Sequence, residues 1–245
     1  MGINTILHHI KIDKYKIPVL VMKLKTYSII SVPTQIGCPI QCSFCISSTN
    51  KFIRSLNLIE IKHIITMLNI KEKYILSLTG EGEINLNIKL LNEIIDEFEY
   101  DKQIKSINIS TSGYKSKNLD KLKKSNKLNL QYSLHYPNNN IRKQNIKLKE
   151  NINITLDNLK KNKDKINTIS INYVMFEKYD IESFFKLNIP KDWIIKLNNN
   201  LSEPNIDYKS KDYFQNILKN EGYNVKNLNE ISKDVKQLYS ELTYK

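Results

Sequence analysis

Residues 38–45 read Cys38-Pro-Ile-Gln-Cys42-Ser-Phe-Cys45 and contain all three cysteines of the 245-residue chain. This C-x3-C-x2-C spacing comes shortly after Ser28–Pro33, a β-branched run typical of a buried strand. Iron–sulfur clusters usually take four protein ligands, so three thiolates on a four-iron cluster would leave one iron open. A zinc site and three buried free thiols are the alternatives, but zinc normally takes four ligands and no histidine pair has ligand spacing. The stretch therefore indicates a metal centre in a reducing compartment, the cytoplasm.

Short β-branched runs alternate with longer amphipathic stretches through most of the chain. The predicted strands are Ser28–Pro33, Tyr74–Thr79, Ser106–Ser110, Asn129–Leu134, Thr168–Met175 and Trp193–Leu197. The predicted helices are Leu58–Leu68, Ile88–Phe98, Leu119–Lys124, Ile152–Lys161 and Ile181–Leu187. Because alternating strands and helices form right-handed crossover units, this pattern predicts an α/β fold with a parallel sheet of about six units between Ser28 and Asn200.

The flanking segments predict smaller extensions to this core. Ile6–Leu24 has the pattern of one or two strands. After the core, the sequence predicts a helix with an apolar face of Tyr213, Ile217 and Leu218. It then predicts a strand at Tyr223–Val225 and a last helix near Ile231–Leu242, and loops at Asn138–Asn140 and Asn198–Asn200. We expect three parts: an N-terminal β extension (1–26), the core (27–200) and a C-terminal α/β extension (201–245).

The composition is strongly basic, with 38 Lys and Arg residues against 25 Asp and Glu residues and a net charge of +13. No alanine occurs, and the only arginines are Arg54 and Arg142. Lysine codons are AT-rich whereas alanine and most arginine codons are GC-rich, so the charge is only a weak indication of an RNA partner. No apolar run approaches the ~20 residues of a membrane span, and the N-terminal residues lack the pattern of a secretory signal.

Several segments together resemble one enzyme family. They are Ser31-Val-Pro-Thr-Gln-Ile-Gly-Cys38, Phe52-Ile-Arg-Ser-Leu56, Gly80-Glu-Gly-Glu83-Ile-Asn-Leu-Asn87, Ser110-Thr-Ser-Gly113, Ser133-Leu-His135-Tyr-Pro137-Asn138 with Arg142, and Tyr173-Val-Met175. In this order they resemble the motifs of the RlmN/Cfr family, which are radical S-adenosylmethionine (SAM) methyltransferases acting on adenine in RNA. The resemblance runs from about Tyr27 to Met175 and includes both arginines, which suggests roles that lysine cannot fill.

The resemblance implies a partial (β/α)6 TIM-like barrel with its cofactors at the carboxyl ends of the strands. It implies a [4Fe-4S] cluster on Cys38, Cys42 and Cys45, and an electron donor such as flavodoxin or ferredoxin. Bound SAM would be cleaved by one electron to give a 5′-deoxyadenosyl radical. The resemblance places SAM against Gly82, Glu83, Ser110, Ser133, Leu134, His135 and an asparagine after the sixth strand, either Asn198 or Asn200.

The chain departs from the family at the residues that transfer the methyl group. The methyl-carrying cysteine has its counterpart near Tyr239, and the second catalytic cysteine has its counterpart at Ser31. The family's proton-accepting glutamate has no counterpart, because Ile17–Met22 contains no acid. A hydroxyl is far less nucleophilic than a thiolate at neutral pH. The sequence therefore predicts SAM cleavage without methylation through a methylcysteine.

Three functions follow from these features. The first is a radical SAM enzyme that abstracts hydrogen from an unidentified nucleotide, peptide or small-molecule substrate, with a peptide less favoured because no peptide-binding domain is visible in the sequence. The second is an RNA-modifying enzyme that keeps the family's substrate, with the lysine-rich stretches Lys115–Lys127 and Lys143–Lys149 on phosphate. The third is a non-catalytic module that binds a cluster or SAM. The sequence does not assign a catalytic residue that acts on the substrate.

Overall fold

A computed structural model describes residues 4–147, 150–175, 180–199 and 208–227. Eleven strands occur among these residues. They are β1 (Asn4–Ile12), β2 (Tyr15–Lys23), β3 (Ser28–Ser31), β4 (Gln35–Ile36), β5 (Arg54–Ser55), β6 (Tyr74–Leu78), β7 (Ile104–Thr111), β8 (Ser125–Ser133), β9 (Ile166–Met175), β10 (Ile194–Asn199) and β11 (Asn224–Asn227). The helices are α1 (Leu58–Leu68), α2 (Ile88–Phe98), α3 (Asn139–Asn145), α4 (Ile152–Lys161), α5 (Ile181–Lys186) and α6 (Tyr208–Asn220).

Nine strands form one sheet in the order β1-β2-β3-β6-β7-β8-β9-β10-β11. All pairs from β3 to β11 are parallel, whereas β1, β2 and β3 pair antiparallel. β4 and β5 form a separate two-stranded sheet beside the cysteine motif. The six strands predicted for the core are consecutive parallel neighbours in chain order, which confirms the predicted parallel sheet.

The helices cover one face of this sheet. In β7, Ile107 and Ile109 are buried in the same core cluster as Leu91 and Ile94 of α2. The intervening residues of β7, β8, β9 and β10 point to the opposite face and are mostly polar and half-buried. They include Asn108, Ser110, Asn129, Gln131, Ser133, Asn172, Lys196 and Asn198. The sheet therefore has an apolar, helix-covered face and a polar face.

The periodicity placed three helices with their observed bounds: α1, α2 and α4. α1 begins with a capping box, in which the Asn57 side chain accepts from Glu60 N and the Glu60 carboxylate accepts from Asn57 N. It ends at Asn69, whose φ of 48° is left-handed and terminates the helix. Local signals were sufficient here because all three helices have an apolar stripe, and the side chains of Asn57 and Asn151 cap the starts of α1 and α4.

The helix predicted at Leu119–Lys124 is wrong. The chain forms a 3₁₀ helix at Ser116–Lys121 and then turns into β8. Leu119, within this helix, and Leu122, its C-terminal cap residue, are both buried and lie three residues apart, which matches the three residues per turn of a 3₁₀ helix.

The loops predicted at the asparagine runs are also corrected. The Asn138 side chain accepts hydrogen bonds from Asn140 N and Ile141 N and thereby caps α3, which begins at Asn139. Asn198 and Asn199 continue β10, because Asn198 pairs with Val174 of β9. Asn200 lies outside the described residues.

The C-terminal segment agrees with the sequence in its elements but not in all of its buried residues. α6 and β11 form, and Leu218 is buried as expected. Tyr213 is wrong as a face residue, because it is 63% exposed; Phe214, one position along, packs with Leu218 in the core instead. The predicted helix at Ile231–Leu242, with Tyr239, lies outside the described residues.

None of the helices in the described ranges combines the length and the apolar character that a bilayer crossing requires.

Candidate cofactor site at the carboxyl edge of the sheet

The cysteine motif forms a tight loop after β4. Cys45 N donates to the Cys42 carbonyl over 3.1 Å, and all three cysteines are half-buried. Gly37 starts the loop with a φ of +77°, and a Cβ atom there would lie 1.9 Å from the Lys51 carbonyl oxygen. Only glycine allows the two passing backbone segments to approach this closely.

The three thiols share one space. Burial, together with the neighbouring thiols of Cys45 and Cys38, raises the pKa of Cys42 to about 12. Ile40 and Ile146 are buried against Cys38 and Cys42 and form an apolar wall. A cluster of thiolates in an apolar setting is the donor chemistry that iron–sulfur centres use, so the residues present fit such a cluster.

Within the described ranges, no group of three or more His, Cys, Asp or Glu side chains is arranged to hold a single metal ion. A structural zinc ion normally takes four such ligands around one point. The described residues therefore do not form a zinc site of that kind.

The Glu81 carboxylate links the two ends of the cysteine loop. Its carboxylate accepts from Gly37 N over 3.0 Å and from Asn50 Nδ2 over 3.0 Å, and so joins the residues just before and just after the motif. Burial raises the pKa of Glu81 to about 7. Sequence reasoning had not singled out Glu81; its place between two glycines at the end of a strand was the available signal.

Gly82 and Glu83 follow β6 and touch the strand that leads to the cysteines. Gly82 has a φ of +115°, and a Cβ atom there would lie 2.6 Å from Thr34 Oγ1. Glu83 N donates to Gln35 Oε1 over 2.9 Å. The turn is therefore packed directly beneath β4, which starts the cysteine loop.

The Glu83 carboxylate is buried and accepts hydrogen bonds from residues at the carboxyl end of β7 and from its own turn. It accepts from Thr111 Oγ1 (2.6 Å), Ser112 N (2.8 Å), Ser112 Oγ (2.5 Å) and Asn85 N (3.1 Å). Burial raises the pKa of Glu83, and the hydrogen bonds from Ser112 and Thr111 oppose that rise. Its side chain thus fixes the ends of β6 and β7 relative to each other.

Arg142 fixes the ends of β7 and β8 in the same way. Its guanidinium is buried and donates to the carbonyls of Ser112 (2.6 Å), Ser133 (3.1 Å) and Leu134. It also lies 5.3 Å from the ring centroid of Tyr132. Three carbonyls arranged around one planar fork explain why arginine stands here in a lysine-rich chain.

Ser110, Ser133 and His135 lie close together at this edge. Ser110 Oγ and Ser133 Oγ are 3.0 Å apart and hydrogen-bonded. The His135 ring meets the Phe44 ring edge-on, with centroids 5.2 Å apart, which brings the end of β8 against the cysteine loop. Burial, with the Arg142 charge, lowers the pKa of His135 to about 3, so its imidazole is neutral at physiological pH.

The remaining predicted residues lie further along the edge. The Leu134 side chain is buried in the core, while its N–H donates to the Asn172 carbonyl over 3.0 Å. Asn198, on β10, donates from Nδ2 to Asn172 Oδ1. The structure thus places Gly82 and Glu83 against the strand that leads into the cysteine loop, and His135 against Phe44 of that loop. Ser110 and Ser133 contact each other at the ends of β7 and β8, and Asn198 lies two strands beyond Ser133.

The family of this chain follows from its similarity to known proteins. Residues 32–187 match the family described as the radical SAM superfamily. The chain belongs to the radical SAM superfamily. The matched range contains the cysteine loop, the Glu83 turn and Arg142.

Relatives and solved structures agree with this assignment. The chain is 34% identical over 185 residues to the dual-specificity RNA methyltransferase RlmN of Buchnera aphidicola from Acyrthosiphon pisum, covering 68% of this chain and 51% of that protein. It is 31% identical to RlmN of Buchnera aphidicola from Schizaphis graminum, covering 87% of this chain and 66% of that protein. The chain therefore spans about half to two thirds of these relatives.

Two solved structures share the fold. A radical SAM methyltransferase from Sphaerobacter thermophilus superposes with a TM-score of 0.70 at 16% identity, covering 95% of this chain and 79% of that one. SuiB of Streptococcus suis, bound to S-adenosylmethionine, superposes with a TM-score of 0.61 at 14% identity, covering 92% of this chain and 55% of that one. At these identities the likeness concerns the fold alone.

Proposed function

We propose that this radical SAM enzyme cleaves SAM reductively and begins hydrogen abstraction on a substrate held over the polar face of the sheet. A [4Fe-4S] cluster held by Cys38, Cys42 and Cys45 would serve this reaction. The observation that carries the proposal is the loop of three thiols beside the strand ends that Glu83 and Arg142 hold together. When bound, the cluster supplies one electron to SAM, which yields methionine and a 5′-deoxyadenosyl radical.

The residues at the sheet edge would orient SAM. The proposed contacts are Gly82, Glu83, Ser110, Ser133, Leu134, His135 and Asn198 or Asn200. Ser110 and Ser133 offer hydroxyls on the polar face, whereas Glu83 and Leu134 act through the turn and backbone that they hold in place. The neutral imidazole of His135 offers a hydrogen bond without adding charge next to the thiols.

The cysteine count supports a reaction other than methyl transfer through methylcysteine. All three cysteines of this chain lie in one loop, so none is left to carry a methyl group once a cluster is bound. Ser31 is on β3, 3.5 Å from Thr79 Oγ1, and its hydroxyl lacks the nucleophilicity of a thiolate. The substrate class we propose is a nucleotide or another small molecule.

We further propose that the sheet curves as a partial (β/α)6 barrel, with residues 27–200 as the core and residues 1–26 and 201–245 as β and α/β extensions. A reducing cytoplasm and a donor such as flavodoxin or ferredoxin would suit the cluster, since thiolate-held clusters need reduced cysteines and a source of electrons.

The test is anaerobic reconstitution of the full chain with iron and sulfide, followed by SAM and a reductant. We expect 5′-deoxyadenosine from the native chain and from Ser43→Ala, since Ser43 is an exposed residue of the same loop. Cys42→Ala should lose the visible cluster absorbance and the 5′-deoxyadenosine together. Binding of SAM without any 5′-deoxyadenosine would refute the proposal and support a non-catalytic module.

RNA modification is the second candidate, and the named relatives favour it. Both Buchnera proteins are RNA methyltransferases by name, and the net charge of +13 suits a phosphate backbone. If the chain acts on RNA, its affinity for one RNA should exceed that for others and should fall steeply with salt. Equal, weak binding of all RNAs would contradict this candidate and would indicate only non-specific attraction of RNA to a basic surface.

A further inference from the structure

The polar face of the sheet carries a hydrogen-bonded row of side chains that the cofactor site does not use. Asn129 Nδ2 donates to Asn108 Oδ1 over 2.9 Å, and Thr168 Oγ1 donates to Asn129 Oδ1 over 2.7 Å. Closer to the carboxyl ends of the strands on the same face, Lys196 Nζ donates to Gln131 Oε1 over 2.9 Å. Amides and hydroxyls dominate this row, and Lys196 brings a charge to it.

The position of Lys196 places it within reach of a molecule bound near the cofactor site. On β10 it is in register with Asn172 of β9, which is in register with Ser133 of β8. Neighbouring strands are about 4.8 Å apart, so the Cα atom of Lys196 lies about 10 Å across the sheet from that of Ser133. That separation fits a small substrate lying between the two.

No acid in the described part of the chain pairs with Lys196. None of the ion pairs among the described residues includes it. Burial lowers the pKa of Lys196, and the neighbouring ammonium of Lys226 lowers it further. Lys226, on β11, is in register with Lys196 and therefore shares its face. A half-buried ammonium beside a second one is costly without a counter-charge.

An anionic ligand would remove this cost. Gln131 takes one N–H of the Lys196 ammonium, and two further N–H groups can be directed to an oxygen anion. We propose that Lys196 and Lys226 bind an anionic oxygen group of the substrate, a carboxylate or a phosphate, on the polar face. This rests on the proposed function, because the anchored molecule is the substrate presented to the radical.

Inorganic phosphate and acetate are the probes for this site. Each is added at constant ionic strength to the native chain and to variants, and the thermal unfolding midpoint is recorded. We expect one or both anions to raise the midpoint of the native chain and of Lys71→Met, whose lysine lies exposed in the loop before β6. The rise should be lost in Lys196→Met and retained in Lys196→Arg, which keeps the charge.

The responses separate the possible sources of the anion. A response to phosphate alone indicates a phosphorylated substrate, and a response to acetate alone indicates a carboxylate. An equal rise in Lys196→Met and the native chain would overturn the proposal, as would no rise in the native chain. If Lys196→Met does not fold, Lys196→Gln takes its place, and the same loss is expected.

A separate readout distinguishes failure of this site from failure of the proposed function. Formation of 5′-deoxyadenosine from SAM by the native chain, measured without substrate, tests the proposed function alone. Loss of the anion response in Lys196→Met, with 5′-deoxyadenosine formed by the native chain, is the expected result. Absence of 5′-deoxyadenosine from the native chain would refute the proposed function, whereas the anion response would still show whether the lysines bind an anion.

Discussion

Replacing Arg142 by lysine tests whether the planar guanidinium holds the strand ends at the cofactor site. Arg142 is 2% exposed and donates to three carbonyls, those of Ser112, Ser133 and Leu134. A lysine ammonium is a point charge on a stem of different shape and can serve about one of them in that geometry. Two buried carbonyls would then lose a charged donor.

The magnitude follows from these contacts. A hydrogen bond to a charged group contributes about 1.5–3 kcal/mol, and part of that is recovered by relaxation, so Arg142→Lys should lower the free energy of unfolding by about 2–5 kcal/mol. Arg54 is the matched control, because it is the chain's other arginine. Its contacts with Glu60 (2.7 Å) and Asp13 (2.7 Å) are partly exposed, so Arg54→Lys should cost about 1 kcal/mol or less.

Urea unfolding followed by circular dichroism measures both variants under identical cofactor conditions. We expect the midpoint of Arg142→Lys to fall well below that of Arg54→Lys, with similar slopes for both. Equal, small shifts of the two midpoints would contradict this expectation, because they would mean that the three carbonyls do not depend on the guanidinium fork.

Two other positions give sharp expectations. Burial raises the pKa of Glu81 to about 7 from an ordinary 4.5, so the stability that protonated Glu81 contributes is greatest below pH 4.5 and is lost as the pH rises through about 7. The loss amounts to up to about 3 kcal/mol of unfolding free energy. Glu81→Gln should reduce the fall in unfolding free energy between pH 5 and 8, and an unchanged dependence of that free energy on pH would contradict this expectation. Gly37→Ala should abolish the visible absorbance of the reconstituted cluster, because the added Cβ atom would collide with the Lys51 carbonyl. Gly222→Ala is the control and should retain the absorbance, because Gly222 also has a positive φ but a Cβ atom there would have no atom within 4 Å. A normal spectrum for Gly37→Ala would show that the loop tolerates the change.

The sequence predicted what depends on local periodicity or on a compact motif. The bounds of α1 and α2 follow from apolar spacing, and the three cysteines lie within eight residues. The 3₁₀ helix at Ser116–Lys121 was missed because Leu119 and Leu122 fit both a helix and a tighter turn over so short a stretch.

The supporting contacts of the site could not be predicted, because they join distant residues. Glu81 binds Gly37 across 44 positions, and Arg142 reaches Ser112 across 30. Lys196 likewise resembles any other lysine in a lysine-rich sequence until the sheet places it on the polar face. The sequence motifs predict which residues lie at the site, whereas the hydrogen-bond partners of those residues can be seen only in the folded structure.

One reaction measures directly whether this chain makes the radical, as we propose, without methylating RNA through a methylcysteine. The reconstituted full chain is incubated anaerobically with a reductant, ribosomal and transfer RNA, and SAM labelled in its methyl group. We expect 5′-deoxyadenosine to accumulate while the RNA stays unlabelled. Labelled adenine in RNA that depends on this chain alone would contradict the account.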